Sequence, residues 1–291
     1  MNEEALGGAI VTQGEVLSHK RYGEHYHSLT IVAPEIGATA KPGQFVNVGL
    51  RPGDWHILRR PFSIHRLQRS GAWVTTFEIV FDIRGAGTDY LASLRGHDPV
   101  DLIGPLGSGF PLPNRPASCL LVGGGIGAAP LFFLADELRT AGQRVDFVLG
   151  ARRADLLLNA IEVRRLASVY TITTDDGSAG EQGLVTDVLP DMMERGQTEV
   201  VYACGPDPML AAVSAICAEH RIPLQVSVEQ MMACGYGVCM SCVVPLRRKA
   251  GASGEVVEHV RSCTEGPVLN GARIVWDGWS AVTNERAPAA S

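Results

Sequence analysis

Along the first third of the chain, apolar and polar residues alternate in short runs broken by turn residues. His27–Ala33, Gln44–Leu50, Trp73–Asp82 and Asp98–Ile103 read as strands, with Pro42-Gly43 and Arg51-Pro52-Gly53 between them. From about Gly14 to Pro111 this pattern predicts an antiparallel barrel or sandwich. At Ser118 the period changes. Cys119-Leu120-Leu121-Val122 is a short continuous apolar run, a glycine cluster follows it, and Ala128–Arg139 has helical length and spacing. Strands at Arg144–Leu149, Val169–Thr173 and Glu199–Ala203 then alternate with helices at Asp155–Leu166, Leu184–Arg195 and Pro208–Ala218, the order of a doubly wound parallel α/β sheet. From about Pro223 the chain turns small, Cys-rich and Gly-rich. A polar loop, Arg247–Gly254, is expected between two apolar runs, and the Ala/Pro-rich tail after Asn284 is expected to fray.

The length of 291 residues suits two domains plus a small module, and the period changes place them at 1–112, 113–222 and 223–291. With 46% hydrophobic and 19% charged residues the chain can build substantial cores. A net charge of −6, and no basic run longer than Arg247-Arg248-Lys249, exclude a nucleic-acid or anionic-membrane partner on electrostatic grounds. No apolar run approaches the roughly 20 residues of a membrane span, and the acidic start lacks a secretion signal, so a cytoplasmic location is expected. The seven cysteines are an odd set, and four of them crowd toward the C-terminus, which favours metal or redox chemistry over a disulfide framework.

Those four carry the strongest motif. Cys234, Cys239, Cys242 and Cys263 follow C-x4-C-x2-C and then, with twenty residues between, a fourth cysteine. This is plant-type spacing for a 2Fe–2S cluster, in which a pliable loop, here containing Gly235 and Gly237, lets backbone N–H groups face the sulfurs. A structural zinc site or ordinary buried thiols are the alternatives, although zinc prefers two C-x2-C pairs and only Cys239 and Cys242 form one. Gly123, Gly125 and Ala128 fit G-x-G-x-x-A between a strand and a helix, where unsatisfied N–H groups favour a pyrophosphate. An ordinary βα turn is the alternative. The acid expected about 20 residues on is replaced by Gly150-Ala151-Arg152-Arg153. Asp175 and Asp176 after the next strand would repel a 2′-phosphate and favour NAD, while turn chemistry before Gly177 explains them equally well. Cys204 ends an apolar strand, where ligands bind in doubly wound folds; it is a candidate catalytic residue or a buried thiol. Arg60-Pro61-Phe62-Ser63 supplies a cation, an aromatic face and a hydroxyl suited to a flavin. Taken alone it also reads as a plain barrel strand.

The order RPFS, GAGT, GGGIGAAPL and CGPDPM resembles the ferredoxin–NADP reductase superfamily. With the four cysteines and the ending Arg261 to Val268, nearly the whole chain resembles the electron-transfer subunits of type B dihydroorotate dehydrogenase. The resemblance implies FAD on Arg60, Pro61, Phe62, Ser63, Val80, Phe81, Asp82, Gly87 and Thr88. It implies NAD on Gly123, Gly124, Gly125, Ile126, Gly127, Ala128, Ala129 and Pro130, with Gly205, Pro206 and Met209, and a 2Fe–2S cluster on the four cysteines. Phe62 departs from the Tyr common in the wider superfamily, losing a hydroxyl and keeping the ring. The implied partner is an FMN-containing catalytic subunit that oxidises dihydroorotate to orotate in pyrimidine biosynthesis, two copies of each forming a heterotetramer. The flavin subunit of another NAD(P)H-linked complex, such as a ferredoxin or sulfide reductase, would carry the same parts. A non-enzymatic redox-sensing or zinc-binding module is the reading from another class.

Overall fold

The computed structural model describes residues 8–50, 57–70, 73–249 and 254–277. The expected turn at Arg51-Pro52-Gly53 and the tail after Asn284 lie outside them. Strands β1 (Ile10–Tyr22), β2 (Tyr26–Val32), β3 (Phe45–Val48), β4 (Arg60–Ser70), β5 (Trp73–Asp82) and β6 (Pro99–Leu106) close into an antiparallel barrel in the order β1-β2-β5-β4-β3-β6. Closure decides between the two all-β forms the alternation allowed. The barrel is filled by inward side chains such as Leu29, Ile31, Ile64, Phe77, Ile79 and Leu102, all fully buried. Two short helices complete it, α1 (Pro34–Thr39) and α2 (Ala86–Ser93). Most of β1 escaped the hydrophobic pattern because its outer face is itself apolar in places. Val11 and Leu17 are more than half exposed, which blurs the alternation.

The second layer system comprises β7 (Ser118–Gly124), α3 (Ala129–Thr140), β8 (Arg144–Ala151), α4 (Ala160–Leu166), β9 (Tyr170–Thr174), β10 (Glu181–Gln182), α5 (Val185–Gly196), β11 (Val200–Cys204), α6 (Asp207–His220) and β12 (Leu224–Ser227). After it come β13 (Val243–Lys249), β14 (Glu255–Arg261) and β15 (Val268–Asn270). The sheet order is β10-β9-β8-β7-β11-β12-β15, parallel from β10 to β12. Strand order therefore reverses between β7 and β11, and such a switch point leaves a crevice at the carboxyl ends of the strands. In register there, Cys204 sits beside Gly123 on one side and Ser227 on the other. No helix among the described residues is long and apolar enough to cross a membrane.

One expectation needs correction, and the small C-terminal module proves to be anchored on the sheet: β12 extends the sheet and β15 adds an antiparallel edge strand paired through Val226 and Leu269. Leu224, Val226 and Leu269 join the same apolar core as α5 and α6, so the cysteine-rich loop is tied down at both ends. Residues Arg247–Lys249 are not loop but the end of β13, paired with Glu255–Val257 of β14 in a hairpin whose polar residues face outward. Both strands of this hairpin expose charge at that end, which reads as loop in the sequence.

Candidate functional site

A cleft of about 320 Å³ opens between the barrel and the carboxyl edge of the sheet. Pro61, Phe62 and Ser63 of β4 form one wall, continued by Val80, Phe81 and Asp82 of β5 and by Thr88 of α2. On β4, Ile64 enters the barrel core and alternation turns Pro61 and Ser63 to the outer face, while Phe62, on the side of Ile64, packs against the edge of that core where it borders the cleft. Phe62 and Phe81 lie with ring centroids 5.6 Å apart, giving the wall an aromatic surface. At the start of α2 the Thr88 hydroxyl accepts the N–H groups of Arg84, at 2.8 Å, and Gly85, so the helix end is held by a residue that also lines the cleft.

The opposite wall is the glycine turn. Ile126, Gly127, Ala129 and Pro130 line the cleft, as does Cys204. Gly127 is a close-approach glycine, since a Cβ there would lie 2.7 Å from the Gly205 Cα. The adjoining turn is locked from the other side by Met209, whose sulfur would meet a Cβ on Gly124 at 2.6 Å. Gly125 stands in the left-handed region at φ +56° with open space at its Cβ position. This geometry leaves backbone exposed at the N-terminal end of α3, where a phosphate is favoured. Ala128 packs directly on Gly123 and Pro206 flanks Met209, so both hold the turn without lining the cleft. Burial raises the Cys204 thiol well above its ordinary range, helped by the Glu229 carboxylate, and at neutral pH it is an uncharged thiol rather than a thiolate.

Arg60 and Gly87 do not line the cleft either. A Cβ on Gly87 would lie 3.2 Å from the Arg60 Nε, so the guanidinium lies across the first turn of α2, and its Nη1 donates to the Leu58 carbonyl at 2.8 Å. Asp175 and Asp176 stand apart from the cleft lining, at the end of β9. Asp176 accepts the Ser178 N–H at 2.9 Å, and hydrogen bonds from the Ser178 hydroxyl and N–H hold its carboxyl below the usual range. Turn chemistry thus occupies one of the two carboxylates. Sequence reasoning missed Phe45, Arg84, the stretch Ser227 to Gln230, Met232 and Pro267, which complete the lining. The alternation Leu224-Gln225-Val226-Ser227 was the available signal for the last sheet strand and for the residues that follow it into the cleft.

Next to the cleft the four cysteines lie as two neighbouring pairs, Cys234 with Cys239 and Cys242 with Cys263. The Cys234 sulfur accepts the N–H groups of Val238 at 3.3 Å and Cys239 at 3.4 Å, and the Gly237 N–H points at the Cys263 sulfur. Gly235 and Gly237 both take left-handed φ values, +78° and +87°, which allow the loop to wrap inward. Cys242 and Cys263 are buried and adjacent, while Cys239 is exposed. The Cys239 thiol is drawn down to about 6 by the Ser241 hydroxyl and neighbouring N–H groups. Burial, with the Cys242 thiol beside it, pushes Cys263 up to about 12. Arg261 braces the loop, donating to the Gly237 carbonyl at 2.9 Å and to Glu265 at 3.0 Å. Cysteine sulfurs faced by inward N–H groups are the donor set that an iron–sulfur cluster would take up as thiolates.

A flavin-type barrel wall, a glycine turn at a sheet switch point and a cysteine loop on one rim define an iron–sulfur oxidoreductase of the ferredoxin reductase fold. Residues 121–215 match the oxidoreductase NAD-binding domain, and residues 229–275 match the iron–sulfur cluster binding domain of dihydroorotate dehydrogenase B. The chain is 35% identical over 267 residues to the dihydroorotate dehydrogenase B (NAD(+)) electron transfer subunit of Desulforamulus reducens, covering 92% of this chain and 99% of that relative. Its counterpart in Shouchella clausii is 39% identical over 239 residues, covering 81% and 87%. The chain belongs to the dihydroorotate dehydrogenase B electron transfer subunit family. Among solved structures it is similar to a chain of an NADH-dependent reduced ferredoxin–NADP oxidoreductase, with TM-score 0.76 and 30% identity over 91% of this chain and 90% of that one. A ferredoxin–NADP+ reductase from Neisseria gonorrhoeae with bound FAD and NADP shares the fold at TM-score 0.59 and 16% identity, covering 72% and 91%.

Proposed function

We propose that this chain conducts electrons between a partner flavoprotein that oxidises dihydroorotate and NAD+. The overall balance is dihydroorotate plus NAD+ giving orotate, NADH and a proton. One observation carries the reading: a single cleft is bounded by the β4 and β5 residues suited to a flavin, by the glycine turn, and by Met232, two residues before the first cysteine of the cluster loop. FAD in this cleft, when bound, converts between the single electrons of a 2Fe–2S cluster and the hydride of NADH. Phe62 and Phe81 offer it an apolar face, Ser63 a hydroxyl, and Arg60 and Thr88 belong to the end where α2 begins. Gly123 to Pro130, with Gly205, Pro206 and Met209, shape the dinucleotide side. Cys204, uncharged and buried, borders the place where the two meet and supplies a wall that excludes water. Residues 1–112 then serve the flavin, 113–222 the dinucleotide, and the loop from 223 the cluster, hung on the shared sheet.

The partner surface is the cluster rim. Met231 is 89% exposed, Val238 73% and Met240 53%, an apolar fringe around the exposed Cys239 that suits a catalytic subunit holding FMN, with two copies of each chain in the assembly. The similarity to the NADH-dependent ferredoxin–NADP oxidoreductase chain supports a second reading, a subunit that serves another NADH-linked complex with the same carriers.

The test is a visible spectrum of the purified chain with FAD, iron and sulfide quantified, before and after NADH, followed by coexpression with an FMN-containing dihydroorotate-oxidising subunit. One FAD and two irons per chain, bleached by NADH and coupled to orotate formation in the complex, is the expected result. A colourless, zinc-bearing protein overturns the assignment. A coloured protein whose complex ignores dihydroorotate favours the second reading.

A further inference from the structure

Strand β3 alternates cleanly: Val46 and Val48 enter the barrel core, while Phe45 packs outside it with Cys242 and Cys263. Asn47 shares that outer face and is only 2% exposed. It is a buried amide on a strand where the cross-strand partner, Pro61, lines the cleft, and Ser63, partner of Phe45, does so too. Directly paired residues of an antiparallel ladder point to the same side about 5 Å apart. The Asn47 amide therefore stands one strand spacing from the wall assigned to the flavin, and it reaches the other way. Its Nδ2 donates to the carbonyl of Cys234 at 2.8 Å. The loop is moulded around it, because a Cβ on Gly235 would collide with the Asn47 side chain amide.

We propose that Asn47 is a positioning residue that fixes the cluster loop against the flavin strand, setting the separation across which single electrons pass. The inference rests on the proposed FAD and 2Fe–2S placement. The chemistry agrees. An unpaired buried amide is costly, and so is an unpaired carbonyl beside the first cysteine, so this hydrogen bond is maintained whenever the loop is docked. Phe45 supplies apolar contact on the same face but no direction, whereas the amide defines both the distance and the angle of the Cys234 peptide. Electron transfer falls steeply with separation. A loosened loop therefore slows the one-electron step without touching the hydride step, which lies on the far side of the cleft.

The experiment uses the holoprotein with Asn47→Asp, which keeps the shape and removes the donor, and Asn47→Ala. FAD, iron and sulfide content are measured first, then NADH–ferricyanide activity, which needs only the flavin, and then cluster bleaching after NADH in stopped flow. In that assay NADH delivers two electrons and a proton as hydride, and each cluster accepts one electron. Cluster release to an iron chelator provides a readout independent of turnover. Expected are full FAD content, ferricyanide activity within twofold of the parent, cluster bleaching slowed at least tenfold, and faster iron release. Retained FAD with loss of the cluster in both variants also supports the inference. Parent-like bleaching and iron release in both variants overturn it, and so does joint loss of FAD and cluster, which would make Asn47 a general fold residue. Failure of the functional reading appears separately, as absence of FAD or iron in the unaltered protein.

Discussion

The Nδ1 of His65 lies 2.8 Å from the carbonyl oxygen of Ala129. A carbonyl only accepts, so this nitrogen carries the proton, and the buried Nε2 has no hydrogen-bond partner among the described residues. His65 lies two residues beyond Ser63 on β4, and Ala129 is the first residue of α3, immediately after the glycine turn. The imidazole thus ties the two walls of the cleft by one hydrogen bond, wedged 5.0 Å from the Phe132 ring and 6.2 Å from Tyr22.

Replacing this donor should loosen the junction. His65→Leu removes the second hydrogen bond of a carbonyl that keeps its helical partner at Phe133, and a loss of about 0.5–1.5 kcal/mol in unfolding free energy is expected from urea denaturation. His65→Asn, whose amide reaches a similar place, should recover most of it. Burial holds the folded pKa of His65 below its ordinary 6.5, despite Glu78 and Glu162 nearby, which pull it up, while Arg66 pushes it down. An unfolded chain then binds a proton the folded chain refuses, so this contribution is complete above pH 6.5 and declines as pH falls through the unfolded value. The half-buried His19 and the buried His27 act in the same direction, so the informative quantity is the difference between the parent and His65→Asn. Equal acid sensitivity in both would remove His65 from this role.

How much of this was legible depended on whether a signal was local. Strand β5 emerged at Trp73–Asp82 because the run is dense in β-branched and aromatic residues, and the cysteine spacing pointed to one loop as the place to look for a cluster. By contrast, β15 pairs with β12 across more than forty residues, and no periodicity in Val268–Asn270 announces a partner that distant. Arg247 to Lys249 looked like loop because a two-stranded hairpin has no buried second face to demand apolar residues. Asn47 and His65 were invisible for a related reason: a single polar residue on a strand gains meaning only from the backbone it meets, here Cys234 and Ala129.

Cys239 is exposed while Cys242 and Cys263 are buried, so of the four proposed cluster ligands it is the one that can be changed with least disturbance of packing. Cys239→Ser should leave the NADH–ferricyanide reaction within about threefold, since hydride transfer belongs to the flavin side. Orotate-coupled NAD+ reduction by the complex should fall at least a hundredfold, measured as NADH appearance with dihydroorotate present. Coupled turnover persisting without a cluster would sink the conduit.

The glycine turn predicts a steric effect at one position. Gly127→Ala places a methyl 2.7 Å from the Gly205 Cα and 2.9 Å from its nitrogen, both backbone atoms that cannot swing aside. Overpacking of this kind costs about 1–3 kcal/mol. Because the displaced segment borders the dinucleotide side, the KM for NADH should rise about tenfold while FAD content stays unchanged. A melting-temperature decrease without a KM change would assign the glycine to packing alone.

Selection between NADH and NADPH should turn on one ion pair. At the end of β8, where the second strand of a doubly wound sheet approaches the adenosine ribose, Arg153 is engaged by Asp155 at 2.7 Å, and Asp155 also receives His25 of the β1–β2 turn at 2.8 Å. Hydrogen bonds from Arg153 and then His25 hold the Asp155 carboxyl below the usual range, so it stays ionised at neutral pH and Arg153 remains neutralised. A free guanidinium would welcome a 2′-phosphate; a paired one does not. Asp155→Ala should therefore raise kcat/KM for NADPH about tenfold, the equivalent of about 1.4 kcal/mol, with little change for NADH. Asp155→Ala combined with Arg153→Ala should cancel the gain. His25→Ala, which leaves the Arg153 pair intact, should not produce it. If all three variants shift NADH and NADPH equally, the ribose does not lie at this strand end.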